Sequence, residues 1–281
     1  MDVAKQHASM ENIFEYAQTD FAAMYIGGGV LKGGCVQEEI RFSISPELCV
    51  SMLLCPCMRA DEAIQIAGAE QYSAYRGYAR SLRYDGDHAD DSKRSSDGSV
   101  QSSIHAMDAF DFSFVDASLG TQLTPRYVLR ELNKSLAAFT PVTPESLESF
   151  PIVATGNWGC GAFHGCAPLK ALIQWASASQ CGRRLCYFPF EQSFGPELQR
   201  LTCSVTAAGI TVGSLMRALW QVGQELQCCV QEGCTRPRGK SSRYCIPCAV
   251  ELESEEERQE LPADVEPASL LQELIRRLAL E

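Results

Sequence analysis

The stretch Gly27-Gly28-Gly29-Val30-Leu31-Lys32-Gly33-Gly34-Cys35-Val36-Gln37-Glu38-Glu39 packs five glycines into eight residues, Gly27 to Gly34, and ends on paired carboxylates. Such a run adds no apolar surface to a core and costs backbone entropy. It is useful where the chain turns with φ > 0 or approaches a ligand closely. Two interpretations fit these residues. One is a loop that delivers acids to a polar ligand with a bond to break. The other is a flexible turn ahead of a helix whose first turn carries Glu, as the helix dipole favours.

Outward from this stretch the pattern alternates between short apolar runs and helical periodicity. Asp20 to Ile26 reads as an apolar segment entering the glycine loop, after a polar and irregular 1–19. Gln37 to Leu54 is helical by the spacing of Ile40, Ile44 and Leu48, with Pro46 dividing it into two short helices. Glu62–Ala67 reads as a buried strand, and Ile104–Ala109 as another. Residues 81–103 are nearly all polar and read as a disordered insertion. Pro125 opens a helix over 125–139 with Val128, Leu129, Leu132 and Leu136 as its apolar face. Pro151–Gly156 is a strand running into a second glycine loop, and Ala167–Ser179 is a helix. A strand, loop and helix in that order aim backbone N–H groups at phosphate. Leu185–Phe190 is a further strand and 211–227 a further helix. Strands alternating with helices imply a layered α/β domain.

Several motifs, taken in order, resemble the poly(ADP-ribose) glycohydrolase family. They are Gly27-Gly28-Gly29 with Gln37-Glu38-Glu39, Ile40-Arg41-Phe42, and Ser45-Pro46-Glu47-Leu48. They continue with 68–78 (Gly-Ala-Glu-Gln-Tyr-Ser-Ala-Tyr-Arg-Gly-Tyr), Arg130-Glu131-Leu132-Asn133-Lys134, and 154–163 (Ala-Thr-Gly-Asn-Trp-Gly-Cys-Gly-Ala-Phe). The resemblance spans about residues 9–225. It implies a macrodomain: a three-layer α/β/α arrangement with a mixed central sheet over 1–227.

The same resemblance implies hydrolysis of ribose–ribose O-glycosidic bonds with release of ADP-ribose. Glu39 is the expected general acid, whose conjugate base activates water. Glu38 and Gln37 are expected on ribose hydroxyls, and Asp20 beside the site. Glu11 is expected near the adenine, and Tyr78 capping the adenine or terminal ribose. Gly156, Asn157, Trp158, Gly159, Cys160, Gly161, Ala162 and Phe163 would cradle the diphosphate, with Gly27, Gly28 and Gly29 on its other side. The partners implied are poly(ADP-ribose) and proteins that carry it. No cofactor is expected for catalysis. At Ala23 the family usually has Asn, so one side-chain contact to the ribose region is missing. A macrodomain that holds ADP-ribose ends without cutting them is the alternative reading.

The 281 residues are 46% hydrophobic, enough for one sizeable domain with extras. The formal charge is −11, and the tail 251–281 holds ten acidic residues against three arginines. That balance argues against a nucleic-acid surface, which needs clustered Lys and Arg. No run reaches the roughly 18 apolar residues of a membrane span. The N-terminal residues lack the apolar run of a signal peptide, so a reducing compartment, nucleus or cytoplasm, is expected.

Of 14 cysteines, five fall within 228–248. Cys229-x4-Cys234-x10-Cys245-x2-Cys248 has the spacing of a small structural Zn²⁺ site, with Cys228 as a substitute ligand. It is read as a Cys-rich, zinc-knuckle-like extension over 228–250. Residues 251–281 form an acidic tail ending in a short amphipathic helix, which needs a surface to cover, in cis or in a partner.

Overall fold

Along the strands Ile152–Gly156 and Arg184–Phe188, neighbouring residues feed different cores. Val153, Leu185 and Tyr187 join one cluster, whereas Ala154 and Phe188 join another together with Cys186. Successive side chains of a strand point to opposite faces, so the sheet is covered on both. The computed structural model describes residues 1–4, 10–13, 15–89, 92–96, 98–190, 193–227 and 267–278. The strands are β1 (Asp2–Val3), β2 (Ala17–Asp20), β3 (Ile64–Ala67), β4 (Ser73–Arg76), β5 (Arg83–Asp87), β6 (Ser103–Ala106), β7 (Ile152–Gly156) and β8 (Arg184–Phe188). The helices are α1 (Gln37–Ile44), α2 (Ser51–Leu54), α3 (Leu119–Gln122), α4 (Pro125–Phe139), α5 (Pro144–Ser149), α6 (Ala167–Gln180), α7 (Gly195–Ala207), α8 (Val212–Gln227) and α9 (Pro267–Arg277).

The main sheet is six-stranded, in the order β1-β8-β7-β2-β6-β3. All neighbours are parallel except β3, which runs antiparallel to β6. This is the expected mixed sheet. The helices α4, α6, α7, α8 and α9 bury apolar residues in the principal core on one face. On the other face α1 contributes Phe42 to a smaller core with Leu48, Ala22, Ile26, Ile104 and Ala106. The parallel strands β2, β6, β7 and β8 therefore end at one edge, and the loops that follow them meet there.

Four expectations need correction. The segment 1–19 is not wholly irregular, because β2 lies inside the sheet between β7 and β6. It carries polar residues there because their side chains are satisfied: Thr19 Oγ1 donates to Ala154 O at 3.0 Å and Gln18 Nε2 to Ile13 O at 2.9 Å. β3 is half-buried and lies at the sheet edge, where Gln65 Nε2 donates to Ala138 O and Thr140 O.

The stretch 81–103 supplies β5, which pairs with β4, and an Arg94–Val100 bridge. Backbone pairing and the 2.9 Å Arg94–Glu70 ion pair hold residues whose composition offers little to a core.

In α4, Leu129 is 53% exposed and Leu136 is exposed, whereas Glu131, Lys134 and Ser135 are buried. The inward face is polar because it carries an ion network. Of the two surfaces open to the tail helix, α9 covers the one in cis: Leu270, Leu271 and Leu274 are fully buried in the principal core. α7 escaped the sequence reading, although Leu198, Leu201 and Val205 stand at helical spacing and are all buried.

Candidate active site

The loop that follows β2 closes on the first turn of α1. Glu39 Oε2 accepts from Val36 N–H at 3.0 Å, forming half of a capping box, and its Oε1 accepts from Gly29 N–H at 2.9 Å. Glu38 Oε1 accepts from Gly27 N–H at 2.6 Å and Oε2 from Ala23 N–H at 2.9 Å. Gly28 bridges the two with φ +48°, and a Cβ there would lie 2.5 Å from Glu38 Oε2 and 2.6 Å from Glu39 Oε1. Only glycine fits that crossing. The Gly28 N–H goes to Tyr25 O. The amides of Gly27, Gly28 and Gly29 are thus used inside the protein, two of them on carboxylates. Their N–H groups are satisfied by the protein's own acceptors.

Around this pair stand Asp20, Glu11, Arg41 and Gln37. Gln37 Oε1 accepts from Phe21 N–H at 2.8 Å, and its Nε2 donates to Glu11 Oε1 at 3.2 Å and Thr19 O at 3.3 Å. Gln37 therefore ties the end of β2 to Glu11, in addition to any role on substrate. Arg41 is buried and lies 3.7 Å from Glu11 Oε1. Asp20 is fully buried, and neither of its carboxylate oxygens has a hydrogen-bond partner among the described residues. Burial lifts its pKa from 3.8 to about 7. Arg41 opposes this, and Glu39 and Glu11 add to it. Burial also lifts Glu38 from 4.5 to about 9, with Asp20 adding to it and the Ala23 and Gly27 N–H groups opposing it. Desolvation exceeds hydrogen bonding here, so the Asp20–Glu38 pair retains a proton at neutral pH. Arg41 was not singled out from sequence. Its signal was its position, three residues beyond Glu38 and so on the same face of the helix.

The second glycine loop leaves the neighbouring strand β7. Within it the N–H groups of Trp158, Cys160, His164 and Gly165 bond to loop carbonyls. Those of Gly159, Gly161, Ala162 and Phe163 have no such partner among the described residues. Gly161 and Ala162 are exposed, so these amides form an open donor set for an anion. The side chains are otherwise engaged. Trp158, expected at the ligand, is fully buried and donates Nε1–H to Met107 O at 2.9 Å. Its ring supports the loop from below. Asn157 Oδ1 accepts from the Tyr187 hydroxyl at 2.7 Å and Nδ2 donates to Pro189 O at 3.0 Å, joining the loops after β7 and β8. Burial raises the Cys160 thiol well above its usual range. Phe163 is half-buried against the principal core.

Tyr78 and Phe190 complete the rim, with ring centroids 5.3 Å apart. Burial raises the Tyr78 pKa, the Gln37 backbone opposes, and Glu39 and Glu11 add to it. The phenol thus lies in the field of the carboxylate cluster. Phe190 has φ 55° and stays half-exposed, and nothing in its sequence context marks it. The Tyr75 hydroxyl also reaches Glu11, at 3.3 Å.

Among the described residues no group of three or more His, Cys, Asp or Glu is arranged to hold a metal ion. Cys229, Cys234, Cys245 and Cys248 lie outside the described residues.

Compared with known proteins, residues 2–195 match the family described as poly(ADP-ribose) glycohydrolase, macro domain fold. Poly(ADP-ribose) glycohydrolase 1 of Caenorhabditis elegans is 36% identical over 214 residues, covering 73% of this chain and 27% of the relative. Probable poly(ADP-ribose) glycohydrolase 2 of Arabidopsis thaliana is 32% identical over 247 residues, covering 75% of this chain and 46% of the relative. The crystal structure of poly(ADP-ribose) glycohydrolase from Deinococcus radiodurans in complex with ADP-ribose is similar at 16% identity and a TM-score of 0.40, over 74% of this chain and 84% of that one. The chain spans less than half the length of the curated relatives named here.

Proposed function

The chain belongs to the poly(ADP-ribose) glycohydrolase family, with its macro domain fold, and from that premise we propose that it hydrolyses ribose–ribose O-glycosidic bonds of poly(ADP-ribose) and releases ADP-ribose. The observation that supports this most is the meeting of two loops at one sheet edge. One carries Glu38 and Glu39, and the other leaves the amides of Gly159, Gly161, Ala162 and Phe163 unengaged. Open α/β sheets hold ligands outside the carboxyl ends of their strands. A diphosphate on those amides and a base beside the Tyr78–Phe190 rings would bring a ribose over the carboxylates.

Glu39 protonates the leaving oxygen as the anomeric carbon gains oxocarbenium character, and its conjugate base then activates water. The Gly29 and Val36 N–H groups fix the position of that side chain. A carboxylate has about four acceptor positions, so Glu38 can meet ribose hydroxyls while holding the Ala23 and Gly27 N–H groups. Asp20, unpartnered and sealed from solvent, acts on Glu38 through its charge, which adds to the raised pKa of that carboxyl. A second assignment has Glu38 deliver the proton, and the pKa of about 9 supports it. Turnover of Glu38→Gln against Glu39→Gln separates the two.

Labelled polymer tests the reading. The wild-type chain is expected to release ADP-ribose, and Glu39→Ala to lose ~10²–10⁴-fold in rate, the usual range for a general acid–base group. Retention of polymer without product in the wild type would favour the binding-only reading. That reading draws on Ala23, which stands where the family usually has Asn. Near-full release by Glu39→Ala would overturn the assignment of Glu39.

We assign the protein's substrates to poly(ADP-ribose) and proteins bearing it, and its site of action to the nucleus or cytoplasm. No described helix is long and apolar enough to cross a membrane. A structural Zn²⁺ on Cys229, Cys234, Cys245 and Cys248 remains part of the proposal. Metal analysis of the reduced chain is expected to find zinc, and its absence would remove the claim.

A further inference from the structure

Beneath the Trp158–Phe163 loop lies a set of buried charges to which catalysis gives no role. Lys170, on α6, bonds Glu131 of α4 and sits 4.0 Å from the centroid of the Trp158 ring. Its ammonium would be 3.3 Å from a Cβ on Gly159, which has φ +71° and whose amide is one of the unengaged donors. The other Glu131 oxygen accepts from Phe110 N–H at 3.1 Å and from Arg130. Arg130 also pairs with Asp108. Lys134 donates to Arg59 O and Glu62 O and forms an ion pair with Asp108.

Burial pushes Lys170 well below the usual lysine range. The balance of charge does not depend on where that proton rests. The Lys170–Glu131 pair is neutral whether the proton sits on nitrogen or on oxygen. Arg130 and Lys134 against Asp108 then leave a single positive charge under the loop. A core needing only cohesion gains little from buried ions, since apolar residues of similar volume usually do as well or better. The loop above has no lysine or arginine, and the whole chain carries −11.

We infer that Lys170 and Glu131, acting through the Trp158 ring, are positioning residues that hold the Gly159–Phe163 amides in place and, with Arg130 and Lys134, give them the positive field that selects a diphosphate ligand. This deepens the proposed function and rests on ADP-ribose being bound at that loop.

The test compares ADP-ribose with adenosine, which keeps the base and lacks the diphosphate. Calorimetric affinities are measured for the wild type, Lys170→Met and Trp158→Phe, with folding checked by circular dichroism. Lys170→Met is expected to weaken ADP-ribose about tenfold or more, a change of about 1.4 kcal/mol, and to leave adenosine within about twofold. Trp158→Phe leaves a smaller aromatic ring under the loop, loses the donor to Met107 and weakens the contact with Lys170. It unpairs no buried charge, so it is expected to fold even where Lys170→Met does not, and to show the same ordering. Equal weakening of both ligands in a folded variant would reduce the cluster to a structural role and overturn the inference. Unchanged ADP-ribose affinity in both variants would overturn it as well. A wild-type chain that binds neither ligand would remove the functional reading itself, and this inference with it.

Discussion

At position 20 a carboxylate is sealed from solvent, and burial lifts its pKa from 3.8 to about 7. Between those values the folded chain holds a proton that the unfolded chain has released. The stability this provides is full below about pH 4 and is lost as pH rises through the folded value. Asp20→Asn is neutral at every pH and escapes that loss. Thermal unfolding is expected to show the variant on the order of 2 kcal/mol more stable than wild type near pH 8, with the difference closing near pH 4. The same variant is expected to lose turnover, because a group kept at a cost to stability is usually kept for chemistry. A variant less stable at pH 8 would contradict the titration. Gly28 is constrained for a different reason. Gly28→Ala would drive a methyl into both carboxylates at φ +48°. Misplacement by about 1 Å costs on the order of 10²-fold in rate, so polymer release is expected to fall at least that far while the chain remains folded.

Elements differ in how much of them could be read along the chain. The bounds of α4 follow from Pro125 and helical periodicity, and the helix runs Pro125–Phe139 as expected. Its orientation does not follow, because Glu131 and Lys134 find partners on α6 and in the segments before β3 and after β6. A charge with a partner can be buried where an unpaired one cannot. Leu129, 53% exposed, is therefore spare, and Leu129→Gln is expected to change stability by less than about 0.5 kcal/mol in denaturant titration. β2 was illegible for a related reason: its Thr19 hydroxyl is accepted by Ala154, distant in sequence, and its Gln18 amide by Ile13 just before the strand, whereas Asp20 enters the sheet with no hydrogen-bond partner on its carboxylate among the described residues.

At the scale of the whole molecule, the principal core is closed by the last described helix. Leu274 of α9 is fully buried with residues of α6, α7 and α8. Leu274→Ala is expected to cost about 2–5 kcal/mol, the usual range for a buried leucine, read as a lower denaturant midpoint. A negligible loss would mean that α9 is an accessory after all. The sheet order brings the ends of β2, β6, β7 and β8 to one edge, and this joins glycine loops that are more than a hundred residues apart in the chain.

Residue type and local spacing determined by themselves that there would be an alternating α/β domain, a glycine loop ending on Glu38-Glu39, and a strand–loop–helix unit at Gly156–Phe163. Local geometry suffices for these, since turns, caps and periodicity depend on near neighbours. Tertiary structure alone decided that the Gly27 and Gly29 amides hold carboxylates, that Trp158 lies under its loop, that Asp20 is sealed, and that Lys170 meets Glu131. Burial and electrostatics are set by neighbours in space, and the order of residues along a chain does not specify which distant segments will become those neighbours.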